Sequence, residues 1–245
     1  MTMKILSIDI ETSPNLAYSF ELRNAFIGID QIVEPSRMLC FAARWNDERM
    51  QFYSEFHHGA DQMVQKAYDL LEEADVVMHY NGKKFDERRM NNEFYRRGMT
   101  RPAPYRRIDL WRASVDAFDF PSSKLAYILR ESELPSKVET GGFGLWRGCL
   151  DGDPRSWAKM RRYCIQDTKV LWPLYLKMRS WIPGHPSRAI GNGFVCTNCA
   201  SPNLERRGYR ETQVGRYQAY RCRDCGSWCQ DTRRSEGSEL RQVAA

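Results

Sequence analysis

Apolar positions along the first half of the chain fall into short runs of two kinds. Residues 3–10 (MKILSIDI), 37–45 (RMLCFAARW) and 50–55 each read as a strand, and their close spacing predicts an antiparallel meander. From 61 to 74 the apolar positions 63, 64, 67, 70 and 71 recur at helical spacing. DVVMHY, 75–80, predicts a fourth strand, and FDERRMNNEFYRRG, 85–98, a helix ended by Gly98. A short fifth strand at 106–110, a helix at 122–131 and a long glycine-containing loop at 132–153 follow. SWAKMRRYCIQDTKVLWPLYLKMRSWI, 156–182, predicts one last helix, kinked at Pro173. This element order is that of an α/β layer fold with a mixed five-stranded sheet flanked by helices.

Two prolines and three glycines in PGHPSRAIGNG, 183–193, mark a linker after a main domain spanning 1–182. A small cysteine-rich domain, 194–231, and a polar tail, 232–245, complete the chain. No apolar run approaches the ~18 residues of a membrane span, and the start lacks the basic-then-apolar pattern of a signal peptide. A soluble, cytoplasmic protein is the expectation.

The first strand breaks its own pattern. In ILSIDIETSP, 5–14, Asp9 and Glu11 interrupt the apolar run two positions apart and therefore project from the same face. Neighbouring carboxylates repel unless a cation lies between them, although a strand end emerging into water would also hydrate both. HYNGKKFDERR, 79–89, runs from a strand through Asn81 and Gly82 into a helix whose first turn carries Asp86, at the strand edge where α/β folds build sites. An N-cap is the plainer role for Asp86, and a turn residue for Asn81. In YCIQDTK, 163–169, Tyr163 and Asp167 are four apart and share a helix face. Packing for the tyrosine and hydration for the acid are the plainer alternatives.

As an ordered set, D-x-E on the first strand, N-x-x-x-F-D after a later strand and Y-x-x-x-D in a late helix are far more specific. Over residues 3–180 the chain resembles the DEDD exonuclease superfamily, tyrosine subtype, and more narrowly the 3′–5′ proofreading domains of B-family DNA polymerases and their stand-alone relatives. That resemblance implies an RNase H-like fold and two-metal hydrolysis of phosphodiesters at a nucleic-acid 3′ end. It implies that Asp9, Glu11, Asp86 and Asp167 hold two Mg²⁺ or Mn²⁺ ions and that Tyr163 positions the attacking water. Asn81 and Phe85 match the second motif and would seat the terminal nucleotide, Phe85 being equally suited to the core. Lys137, in ELPSKVETGGFGLW, would approach a phosphate. That stretch has neither a proper G-x-G-x-x-G nor a preceding strand, so a dinucleotide or P-loop site is rejected. Single-stranded DNA ends are the favoured substrate. A 3′–5′ exoribonuclease of the same superfamily and an inactive nucleic-acid-binding adaptor are the alternatives. The settings such an enzyme suits are DNA repair, DNA replication and phage biology. His57 and His58 read as loop residues, with a metal role as a minor alternative.

Of eight cysteines, five lie within residues 196–229, which in a cytosolic chain reads as metal binding rather than disulfides. Cys196/Cys199 and Cys222/Cys225 form two C-x-x-C knuckles separated by 22 residues, a pattern that places four thiolates on one structural Zn²⁺. Gly226 suits the tight turn of the second knuckle, Cys229 is a spare, and Cys40, Cys149 and Cys164 read as buried small residues. Between the knuckles, Arg206, Arg207, Arg210, Arg216 and Arg221 interleave with Tyr209, Tyr217 and Tyr220. This zinc ribbon would hold nucleic acid or a protein partner. Net charge is +6, and residues 83–107 carry nine Lys/Arg against three acids, which fits either a solvated helix face or a footprint for a polyanion.

Overall fold

The computed structural model describes residues 3–21, 23, 26–135 and 141–241. They divide into two compact units, one of Lys4–Leu174 and a second that runs from Tyr175. In chain order the first unit has β1 (Ile5–Thr12), a small hairpin of β2 (Leu16–Ala17) and β3 (Ile32–Glu34), β4 (Met38–Trp45), β5 (Gln51–Ser54), α1 (Glu55–His58), α2 (Ala60–Glu73), β6 (Val76–His79) and α3 (Asp86–Arg96). It continues with β7 (Arg106–Asp109), α4 (Leu110–Ala117), α5 (Leu125–Glu131), α6 (Gly144–Leu150) and α7 (Pro154–Lys169), and α8 (Leu171–Met178) follows.

Five strands form one mixed sheet in the order β5-β4-β1-β6-β7. β1 lies at its centre, antiparallel to β4 and parallel to β6, and β6 is parallel to β7. This is the mixed five-stranded sheet flanked by helices that the sequence leads one to expect. Its two faces are separate cores. Leu6, Ile8 and Ile10 of β1 pack with Phe41 and Ala43 of β4 against Met63, Val64 and Leu71 of α2 and Met90 and Phe94 of α3. Cys40 and Ala42 of β4 pack on the other face against Trp157, Met160 and Cys164 of α7. Cys40, Cys149 and Cys164 are buried, as small apolar side chains in a core.

Three element expectations are corrected. Residues 132–153 are not one loop, since α6 occupies Gly144–Leu150 and closes onto α7 through the buried Leu145 and Cys149. Asp109 accepts hydrogen bonds from the N–H groups of Trp111 and Arg112 and so starts α4, which the strand reading of 106–110 passed over. The helix expected over 156–182 ends at Lys169 and resumes at Leu171, four and two residues before the kink expected at Pro173. Pro173 offers no N–H to the carbonyl of Lys169, so the ladder opens there. The buried Arg44 donates from Nη2 to that carbonyl at 3.2 Å instead.

The second unit holds an antiparallel sheet in which β8 (Leu204–Glu211) and β10 (Trp228–Gln230) both pair with β9 (Gly215–Cys222). The expected polar tail is not featureless: β11 (Glu236–Gly237) pairs with Arg216 and Gly215. Among the described residues no helix is long and apolar enough to cross a membrane.

Candidate active site

Register decides which way the acids of β1 point. Asp9 lies opposite Ala42 and Glu11 opposite Cys40, so both share the face that α7 covers, while Ile8 and Ile10 fill the opposite core. Cys164 of α7 donates from Sγ to the Asp9 carbonyl at 3.6 Å, which brings that helix directly onto the acidic stretch of β1. One residue before Cys164 lies Tyr163, and one turn later Asp167, which is only 3% exposed.

Asp86 arrives from the neighbouring strand. Its Oδ1 accepts the N–H of Ile10, the residue between Asp9 and Glu11, at 3.1 Å, and the side chain is 5% exposed. Burial pushes its carboxyl above the ordinary value, against the nearby His79 ring and the Ile10 N–H, both of which favour the charged form. Tyr163 responds to the same acids. Burial, then the negative charges of Glu11, Asp167 and Asp9, and a hydrogen bond with Asp167, push its hydroxyl well above its ordinary value. Acids from residues 9, 11 and 167 thus act on one phenol, which keeps its proton.

These four carboxylates are not closed around a single ion. Among the described residues, the one group of three or more metal-ligating side chains whose donor atoms all lie within 4.8 Å of one another is Cys196, Cys199, Cys222 and Cys225. The acids do present the hard oxygen donors, partly buried and mutually repelling, that divalent cations such as Mg²⁺ or Mn²⁺ take up.

A buried network behind Asp86 was not legible from the motifs. His79, 1% exposed, accepts the N–H of Gly82 at Nδ1 (3.0 Å) and meets Glu87 Oε1 through Nε2 at 3.1 Å. Arg107 Nε donates to both oxygens of Glu87 at 2.8 Å. Burial raises the Glu87 carboxyl, but the His79 and Arg107 hydrogen bonds outweigh it and hold the group below its usual value. Asp109 Oδ1 takes the N–H of Asn81 at 2.8 Å. Asn81 itself sits in the left-handed region at φ 64°. The strand-to-helix turn is therefore pinned at both of its first two amides, and this delivers Asp86 to β1.

Asn81 and Phe85 lie in that turn beside Asp86. Phe85 is 42% exposed, which removes it from the core, and the Arg89 guanidinium lies over its ring at 5.6 Å. Lys137 lies outside the described residues. His57 and His58 belong to α1 rather than a loop, and both spend ring nitrogens on Ser54, His57 Nδ1 at 2.7 Å from its hydroxyl. The basic run at 83–107 resolves into two populations. Arg97 pairs with Asp61 and Glu93, and Arg107 with Glu87, whereas Lys83, Lys84 and Arg88 are exposed around the turn.

In the second unit the four cysteine sulfurs form pairs 3.6 Å apart, Cys196 to Cys225 and Cys199 to Cys222. Sulfurs about 2.3 Å from a tetrahedral zinc lie near that separation, so the set fits Zn²⁺. Both knuckles end in a left-handed residue, Gly226 at φ 75° and Ala200 at φ 62°. The amide of Thr197 donates to the spare Cys229 sulfur at 3.4 Å, and the Thr197 hydroxyl lies 3.3 Å from the same sulfur.

A family model described as RNase_H superfamily matches residues 34–179, more than half of the chain. The chain belongs to the RNase H superfamily. The match begins after β1, so Asp9 and Glu11 stand outside it. Among solved structures, the chain is similar to the family B DNA polymerase from the hyperthermophilic archaeon Pyrobaculum calidifontis, with a TM-score of 0.53 and 14% identity over 86% of this chain and 31% of the polymerase. At that identity the likeness is one of fold, and this chain spans under a third of the polymerase. Comparison with curated proteins finds no match.

Proposed function

We propose that this protein is a metal-dependent 3′–5′ exonuclease of the DEDD type that hydrolyses phosphodiester bonds at nucleic-acid 3′ ends, with single-stranded DNA ends favoured. The observation that carries the reading is the shared sheet face of Asp9 and Glu11 against the helix of Tyr163 and Asp167, with Asp86 hydrogen-bonded to the Ile10 amide between the β1 acids. Membership of the RNase H superfamily supports nuclease chemistry, and the likeness to a family B DNA polymerase supports DNA over RNA.

Asp9, Glu11, Asp86 and Asp167 would hold two Mg²⁺ or Mn²⁺ ions. When bound, such a pair supplies charge neutralisation for an in-line displacement at phosphorus. Tyr163, kept protonated by its surroundings, orients the attacking water through a hydroxyl that does not titrate near neutral pH. Asn81, Phe85 and Lys137 would meet the terminal nucleotide, Phe85 with an open ring face.

The test is digestion of matched single-stranded DNA, duplex DNA and RNA, labelled at the 5′ end, with and without Mn²⁺. Stepwise shortening from the 3′ end is expected, abolished in Asp9→Ala and Asp167→Ala and reduced about 10–100-fold in Tyr163→Phe. Undiminished cleavage in either alanine variant defeats the assigned site. Preferential turnover of RNA selects the exoribonuclease, and binding without cleavage under any divalent ion selects the adaptor.

A further inference from the structure

The ribbon carries a surface that its own core does not use. Its buried residues are Cys196, Cys222, Asn198, Gln218, Ala219 and Ser227, yet Trp228 of β10 is 60% exposed. This indole borders a cleft of about 620 Å³. Ala219 of the central strand β9 forms its floor. Arg207, Tyr209 and Arg210 from β8 line one side, and Trp228 and Gln230 from β10 the other. The volume lies within the few hundred to about 1,000 Å³ of ligand clefts.

Charge identifies the occupant. Residues 204–222 contain five arginines and two glutamates, a local excess of three positive charges. Glu211, the acid in the cleft wall, is taken by Arg216 at 2.6 Å, and Glu205 is shared by Arg207 at 3.2 Å and Arg223 at 3.5 Å. Exposed pairs of this kind exchange readily with phosphate, because each contributes little. Arg210 reaches across to Gln230 at 3.2 Å and so spans the cleft beside Trp228. The ligand that complements guanidinium groups beside an open indole face is an anion bearing flat apolar rings.

We propose that this cleft binds single-stranded nucleic acid, stacking an unpaired base on Trp228 while Arg207 and Arg210 contact phosphates. A duplex hides its base faces, so the stacking part of the site selects against it. The site is a binding site in its own right and does not depend on the nuclease reading of the other unit.

The test measures binding by full-length, zinc-loaded protein in an Asp9→Ala background, where cleavage does not intervene, to a single strand of about 30 nucleotides and its duplex. Trp228→Ala is expected to weaken single-strand binding about 10-fold or more and leave duplex binding unchanged. Arg207→Gln with Arg210→Gln is expected to flatten the salt dependence by about one unit of slope in log–log form. Wild-type catalytic background carrying Trp228→Ala should hydrolyse a dinucleotide at the unmodified rate, which separates failure of this site from failure of the nuclease. Zinc-loaded variants that bind the strand with unchanged affinity and salt slope overturn the proposal and leave a protein-docking face in its place. Equal weakening on strand and duplex also overturns the stacking assignment.

Discussion

A methyl group at position 82 would place its carbon 2.5 Å from Cγ of the His79 ring. The ring cannot retreat, because it is buried and held by Glu87. Gly82→Ala is therefore expected to displace the turn before Asp86, costing about 1–3 kcal/mol in urea unfolding and lowering hydrolysis with it. The same logic explains what reading the chain recovered at this scale. Asp9 and Glu11 announced themselves because a carboxylate pair breaks the alternation of an apolar strand. Asp86 and Asp167 were plain acids individually and became legible only as members of an ordered set. His79, Glu87, Arg107 and Asp109 left no such trace. They are common residue types at unremarkable spacing, and only the parallel pairing of β6 with β7 brings 79 and 109 side by side.

Elements tell a similar story through their ends. The α7–α8 break lies where a proline removes an amide, but its place depends on Arg44, more than a hundred residues earlier, which takes the freed Lys169 carbonyl. Arg44→Met is expected to cost about 1–3 kcal/mol, and the cost should shrink when Pro173→Ala restores the amide; thermal unfolding of the four members of that cycle checks it. In the second unit, Tyr175 and His185 share a hydrogen bond of 2.8 Å and stack at 5.7 Å, so the proline-rich stretch read as a linker is anchored at its start. Burial pushes the His185 ring down to about 4. A histidine whose folded value lies below its unfolded value of ~6.5 stabilises fully above that pH, and the contribution is lost as pH falls toward the folded value. Stability of the unit should thus decline between about pH 6.5 and 4 more steeply in the wild type than in His185→Gln, measured as the midpoint of urea unfolding. The missed α6 follows from its composition, since Gly144 and Gly148 disguise a helix whose existence rests on burying Leu145 and Cys149.

For the molecule as a whole, the two units rest on different physics. Lys4–Leu174 is stabilised by apolar layers on both faces of a sheet, whereas the cysteine module has few buried apolar side chains and a four-cysteine cluster whose metal would supply its folding energy. About one Zn²⁺ per chain is expected by elemental analysis. Cys222→Ser should abolish it and unfold the module while a short substrate is still hydrolysed.

The placement of β1 has a consequence in time. Asp9 leaves the ribosome some 150 residues before Tyr163 and Asp167, and the Cys164 contact to Asp9 closes that long loop. Translation at about 5–20 residues per second separates the two ends by many seconds. Throughout that interval a nascent chain carries Asp9 and Glu11, joined midway by Asp86, and none of the helix that covers them. A site assembled in this order stays incomplete until α7 docks.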